Sequence, residues 1–283
     1  MKLLRFGPKG AERPGLLDSA DGIRDLSQVV RDIDEATLAN ELPRLRALNV
    51  HSLPVVDASV RIAAPIARAG KVVCIGLNYA DHARETGQAI PAEPVIFLKA
   101  ASSIVGPNDD VVLPPGAQKG DWEVELGVVI AREARYVAVE NALEYVAGVC
   151  VINDVSERSY QLERGGQWDK GKGCDTFCPI GPYLVTLDEA GDLRGLRLWC
   201  KVNGISVQDG NTANMVFDVP HLVHYVSQFM SLQPGDVIST GTPPGVGMGM
   251  KPPQWLKEND VIELGIEGLG VQRQRVVRYG AGS

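Results

Sequence analysis

The stretch that most constrains this chain runs from Gly120 to Lys172 and opens with Asp121-Trp122-Glu123-Val124-Glu125-Leu126. Its alternation predicts a strand, because successive side chains of an extended backbone point to opposite faces. Trp122, Val124 and Leu126 then face a core. Glu123 and Glu125 share the other side, about 7 Å apart at their Cα atoms, two strand rises of roughly 3.3 Å each. Carboxylates so placed repel unless one takes up a proton, and a hard divalent cation removes that conflict. A second apolar run, Val149-Cys150-Val151-Ile152, leads to Asp154 and predicts a third carboxylate at a strand end. Three oxygen ligands suit Mg²⁺, with Mn²⁺ and Ca²⁺ as alternatives, and leave coordination positions for substrate or water. Spacing alone leaves a second reading open, a solvated strand face, since exposed carboxylates are the default.

Composition narrows the function classes. With 283 residues, 45% of them hydrophobic, the chain is long enough for a sizeable core in one large domain or a large and a small one. A formal charge of −7 and no run of Lys and Arg argue against nucleic acid as a partner. An anionic substrate would need local cations, and Lys99, Arg158, Lys172 and the proposed metal supply them. The opening residues Met1 to Pro8 contain no apolar signal segment, and no apolar run approaches the ~18 residues of a membrane span. The expectation is a soluble, cytoplasmic protein without a membrane partner. Five cysteines, an odd number without CxxC spacing, fit free thiols better than a disulfide framework or a zinc site.

Taken in order, residues 1–65 read as a small leading α/β domain, with residues 66–283 as the catalytic domain. Ser19-Ala20-Asp21-Gly22 between two apolar runs predicts a hairpin. Ile33, Leu38, Leu42 and Leu45 predict a helix whose end Pro43 blurs. Lys71 to Gly76 and Pro94 to Lys99 read as strands, and Asn78 to Glu85 as a short helix that places His82 and Glu85 on one face. A Glu that orients an imidazole makes a base near neutral pH. An ordinary surface pair has the same spacing. Val155 to Gln161 reads as helical, with Arg158 and Gln161 on one side. Lys172 lies among glycines that permit close approach to a ligand. Met215 to Met230 carries a helical period, in which His221 and His224 read as packing or surface residues.

Several segments follow one another in a fixed order: Gly76-Leu77-Asn78-Tyr79-Ala80-Asp81-His82-Ala83-Arg84-Glu85, Phe97-Leu98-Lys99, Glu123-Val124-Glu125, Asn153-Asp154-Val155-Ser156, Gly171-Lys172-Gly173-Cys174-Asp175-Thr176-Phe177 and Gly241-Thr242-Pro243-Pro244-Gly245-Val246-Gly247. This ordered set resembles the fumarylacetoacetate hydrolase superfamily from about Lys71 to the last strands. The resemblance implies an α+β, mostly β fold, a mixed β-roll with peripheral helices, assembled as a homodimer. It also implies a metal on Glu123, Glu125 and Asp154, and a lid hinged near Gly87 whose His82 and Glu85 activate water. Lys172 would be the active-site lysine, with Tyr79, Lys99, Arg158, Gln161 and Thr242 on the substrate. Two positions depart from the family pattern, Ala100 where a proline is usual and Ser159 where an aspartate is frequent.

The reaction so implied is hydrolysis of the C3–C4 bond of a 2,4-diketo acid to pyruvate and a second acid. Within the family the chain looks most like enzymes for diketo-deoxy sugar acids such as 2,4-diketo-3-deoxyrhamnonate. Oxaloacetate decarboxylation, dienoate isomerisation, ureidoglycolate cleavage, and ligand binding without turnover are the alternatives.

Overall fold

The computed structural model describes residues 1–280 except Asp21, Thr86 and Gln88, and describes only the backbone of His82 and Ala83. Its centre is the antiparallel pair Val124–Ile130 and Val146–Asn153, in register from Val124 opposite Asn153 to Val128 opposite Val149. Both strands are buried along their whole length. The pleat sorts their side chains onto two cores. Leu126, Val128, Ile130, Val149 and Val151 belong to one cluster, and Val129, Cys150 and Ile152 to another. A sheet covered on both faces explains why these strands read as apolar runs.

Around this pair, among the described residues, an eleven-stranded sheet is assembled. Strand Val237–Ser239 lies antiparallel to Val124–Ile130, then Val72–Gly76 runs parallel to it, and Val95–Lys99 forms the edge. On the other side, Val146–Asn153 pairs with Leu184–Thr186, which pairs in turn with Lys2–Phe6. The leading strands thus continue the central sheet. A second sheet, built from Ile205–Asn211, Arg197–Val202, Val261–Ile266, Gly270–Arg278 and Val111–Leu113, contributes Leu198, Ile262, Leu264 and Val276 to the first core. The second core is closed by Ile33 with Leu38, Leu42 and Leu45 of the helices Glu35–Asn40 and Leu42–Arg46. Pro43 sits in the first turn of the second helix, where a missing N–H costs nothing, and so it divides the predicted helix in two.

The strands flanking the expected hairpin pair, with Leu17 opposite Ile23, while Asp21 of its turn lies outside the described residues. Asp18 holds the pair by accepting from the amides of Ala20 at 2.9 Å and Gly22 at 2.8 Å and from Arg24 Nε at 2.7 Å. The helix expected from Val155 begins only at Arg158. Ser156–Glu157 pairs instead with Gly120–Asp121, and the Glu157 carboxylate caps the helix through the Ser159 amide. The helix within Met215–Met230 spans Val219–Ser227, capped by Asp218; His221 stacks on Phe217, and His224 Nδ1 lies 2.6 Å from the Val137 carbonyl. Among the described residues the five cysteines are free, and no helix is long and apolar enough to cross a membrane.

Candidate active site

The three carboxylates converge where the central pair of strands ends. Glu125 shares the pleat face of Val129, and Asp154 that of Cys150 and Ile152, so the same alternation that builds the second core carries these acids past its end. The Asp154 amide donates to the Glu123 carbonyl at 2.9 Å, which extends the ladder by one pair and sets the two acids opposite each other. Oxygens of Glu123, Glu125 and Asp154 lie within 4.8 Å of one another, and all three residues are buried. The solvated-face reading therefore fails.

Buried acids need partners. Glu123 accepts from Arg158 Nη2 at 2.5 Å and from Lys172 Nζ at 2.6 Å. Asp154 accepts from Lys99 Nζ at 2.5 Å and from Lys172 Nζ at 2.8 Å. Arg158 also donates through Nε to Asp121 at 2.8 Å and through Nη1 to Gln161 at 3.0 Å. Glu125 is different. Its Oε2 accepts from the Ser239 hydroxyl at 2.6 Å and the Gly241 amide at 2.9 Å, and no described cation pairs with it. Burial, reinforced by the charges of Asp154 and Glu123, pushes the Glu125 carboxyl well above its ordinary range. Burial acts on Glu123 in the same direction, but Lys172 and Arg158 outweigh it and hold that carboxyl at about 2.

Lys172 ends the short helix Asp169–Lys172, which approaches the chain so closely that a Cβ on Gly171 would lie 2.4 Å from the Glu157 carbonyl. Its ammonium sits 5.2 Å from the Phe97 ring centre, and Phe97 packs edge-on against Trp168. Two of the ammonium's three N–H groups are taken up by Glu123 and Asp154, leaving one.

A cavity of about 560 Å³, within the usual range for small-molecule sites, is lined by Glu123, Glu125, Arg158, Gln161, Lys172, Thr242 and Glu85 together with apolar side chains. Asp154 completes the carboxylate group behind this lining. Glu85, from the helix Ala80–Glu85, accepts from the Gly245 amide through both oxygens, at 3.0 and 3.1 Å. The side chain of His82 lies outside the described residues. Thr242 lines the cavity while donating its hydroxyl to the Val124 carbonyl and accepting from Gln208, both at 2.9 Å. Lys99 and Tyr79 are buried but do not line the cavity. Lys99 is committed to Asp154 and the Val155 carbonyl. The Tyr79 hydroxyl has no partner among the described residues; burial first, then the charges of Glu125 and Asp81, push its phenol well above its ordinary range.

Sequence reasoning missed Asp121, which accepts from Arg158 and from the amides of Gly247 and Met248 at 2.7 and 3.1 Å. Its signal was present, because Asp121 shares the odd-numbered face with Glu123 and Glu125. Ser239 and the Gly241 amide, which hold Glu125, carried no such signal.

The donor set fits a hard divalent ion: three buried carboxylates converge, and one of them has no cationic partner among the described residues.

The chain is similar to known proteins along most of its length. The sequence model described as fumarylacetoacetate (FAA) hydrolase C-terminal matches residues 71–277. A Burkholderia orbicola protein bearing only the general name of a hydrolase is 58% identical over 97% of this chain and 98% of its own. The solved fumarylacetoacetate hydrolase from Exiguobacterium antarcticum superposes with a TM-score of 0.86 at 38% identity, covering 98% of this chain and 99% of that one. Maleylpyruvate hydrolase from Sphingobium sp. SYK-6, solved with manganese(II) and pyruvate, gives 0.83 at 28% identity over 98% and 99% of the two chains. The mostly β fold expected from the sequence is the fold of these structures.

Proposed function

Since the chain belongs to the fumarylacetoacetate hydrolase family, we propose that it hydrolyses the C3–C4 bond of a 2,4-diketo acid, releasing pyruvate and a second carboxylic acid. The observation that carries this reading is the buried group Glu123, Glu125 and Asp154, with Lys172 beside it and Glu85 in the same cavity. Held by the three carboxylates, a divalent cation, Mg²⁺ in the first instance, would polarise the oxygens of an α-keto acid as a Lewis acid. The manganese and pyruvate in the Sphingobium maleylpyruvate hydrolase support that choice of ligand.

The chain's own residues supply the rest. Arg158 has five N–H groups, three of them engaged with Asp121, Glu123 and Gln161, so two remain for a substrate carboxylate. The Gln161 amide accepts from Arg158, and its own N–H₂, which donates to no described residue, would donate to the substrate. Glu85, fixed by the Gly245 amide, would orient His82 to take a proton from water as its oxygen bonds to C4. The C3–C4 bond then breaks, its electron pair passing to an enolate, and the remaining Lys172 N–H stabilises the negative charge that develops. Protonation at C3 gives pyruvate, and C4 leaves as the new carboxyl group; one water is consumed. Tyr79 and Lys99 then act from behind the cavity wall, and Thr242 borders the substrate. We assign a diketo-deoxy sugar acid such as 2,4-diketo-3-deoxyrhamnonate as substrate, and a cytoplasmic homodimer as the working form.

The test is pyruvate release from a panel of 2,4-diketo acids by chelator-stripped protein with and without Mg²⁺ or Mn²⁺. Metal-dependent pyruvate in excess of enzyme is expected. Metal-dependent binding without turnover would instead make this a ligand-binding protein. Oxaloacetate decarboxylation that survives Glu85→Ala while no diketo acid is cleaved would make it a decarboxylase.

A further inference from the structure

The cavity is chemically divided. Glu123, Glu125, Arg158 and Lys172 are almost fully buried at its inner end, whereas the outer wall is mainly apolar and more open, with Leu162 45% exposed. That wall comes from Leu162, Trp168, Met248, Met250 and Pro253. The geometry points to this wall as a seat for the far end of the substrate, selecting 2,4-diketo acids whose tails end in methyl or a longer alkyl group over those ending in hydroxymethyl or carboxylate. This rests on the diketo-acid reading above.

Three observations support it. First, about 560 Å³ is more than a pyruvate moiety fills, so a tail has room. Second, a tail hydroxyl finds few partners: the Thr242 hydroxyl is engaged at both ends, and the only described side-chain cation on the open wall is Lys251. A hydroxyl buried without a partner loses its hydration uncompensated. Third, the methionine-bearing loop is tied to the site. Asp121 holds the Gly247 and Met248 amides, Gly245 holds Glu85, and a Cβ on Gly249 would lie 2.9 Å from the Glu85 carboxyl carbon. A tail pressed on Met248 and Met250 thus bears on the segment that positions Glu85. Part of its binding should be realised in the transition state and raise kcat as well as lower KM.

The test compares 2,4-diketo-3-deoxyrhamnonate, which ends in methyl, with its 6-hydroxy counterpart, which differs by one oxygen. Acetylpyruvate, one carbon shorter than the rhamnonate derivative, serves as reference. The methyl-ended substrate should be favoured in kcat/KM by about tenfold or more, the scale on which an apolar pocket discriminates. Met250→Gln and Leu162→Asn should each move that ratio toward unity. Leu162 is exposed enough that its variant tests the seat without disturbing the core. If acetylpyruvate and the longer acids all release no pyruvate, the hydrolase reading fails. If acetylpyruvate is cleaved but the ratio is unity or reversed, or neither variant changes it, the tail assignment alone is overturned. A preference for a carboxylate-ended tail that Lys251→Met abolishes would overturn it too.

Discussion

The backbone amide of Gly245 grips both carboxylate oxygens of Glu85 across 160 positions of sequence. Gly245 has a φ of +102°, and a Cβ there would fall 1.8 Å from the Val207 carbonyl oxygen. Gly245→Ala must therefore shift the loop and release the carboxylate. The expected result is a loss of about 1–3 kcal/mol of stability, the usual cost of a strained backbone position, together with a fall in pyruvate release. Denaturant unfolding and steady-state assays check both.

Glu85→Gln should separate these two effects. The amide oxygen still accepts from Gly245, so the melting temperature should stay near that of the wild type. If Glu85 orients the His82 imidazole as proposed, that support is gone, and kcat should fall by about 10²–10⁴, the range for general-base catalysis. An equal fall in stability and activity would assign Glu85 to the fold rather than to the chemistry.

Glu125 is buried beside two other acids, with no paired cation among the described residues. Glu125→Gln keeps an acceptor for Ser239 and Gly241 and removes the repulsion, so metal-free variant should melt above metal-free wild type at pH 7. In wild type, Mn²⁺ at 100 times its Kd should add about 2.7 kcal/mol of stability by mass action. That gain should shrink in the single variant and vanish when Glu123, Glu125 and Asp154 are all neutralised. Calorimetric titration and thermal melting report the two halves.

Asp18 gives the protein a defined acid sensitivity. The Gly22 amide, then the Arg24 guanidinium and the Ala20 amide, hold its carboxyl at about 2 against an ordinary 3.8. Between these values the unfolded chain binds more protons than the folded one, so stability rises with pH. The contribution is complete above about pH 4 and is lost as pH falls toward 2. Asp18→Asn should be less stable than wild type at pH 7, and the difference should close across that window in urea unfolding series.

Much of this was legible from the chain. Alternation in Trp122 to Leu126 placed Trp122 and Val124 in the core and Glu123 and Glu125 together. Ser19 to Gly22 announced the pairing of the strands around it, and Asp154 its strand end. What escaped depends on tertiary neighbours. Nothing near Lys99 shows that Asp154 would draw it out of solvent, or that Ser239 would reach Glu125. The late start of the helix at Arg158 follows from pairing with Gly120–Asp121, nearly forty residues earlier.

The strand Lys2–Phe6 meets Leu184–Thr186 with Lys2 opposite Val185 and Leu3 opposite Leu184. Lys2–Phe6 therefore waits for a partner some 180 residues further along before this part of the sheet can close. Until then Leu3 and Leu16, both buried in the finished protein, lack much of their shared core. Contacts this distant in sequence form slowly. In pulse-labelled hydrogen exchange during refolding, the amides of Leu3 and Leu184 should gain protection together; early protection at Leu3 alone would show that the opening hairpin settles by itself.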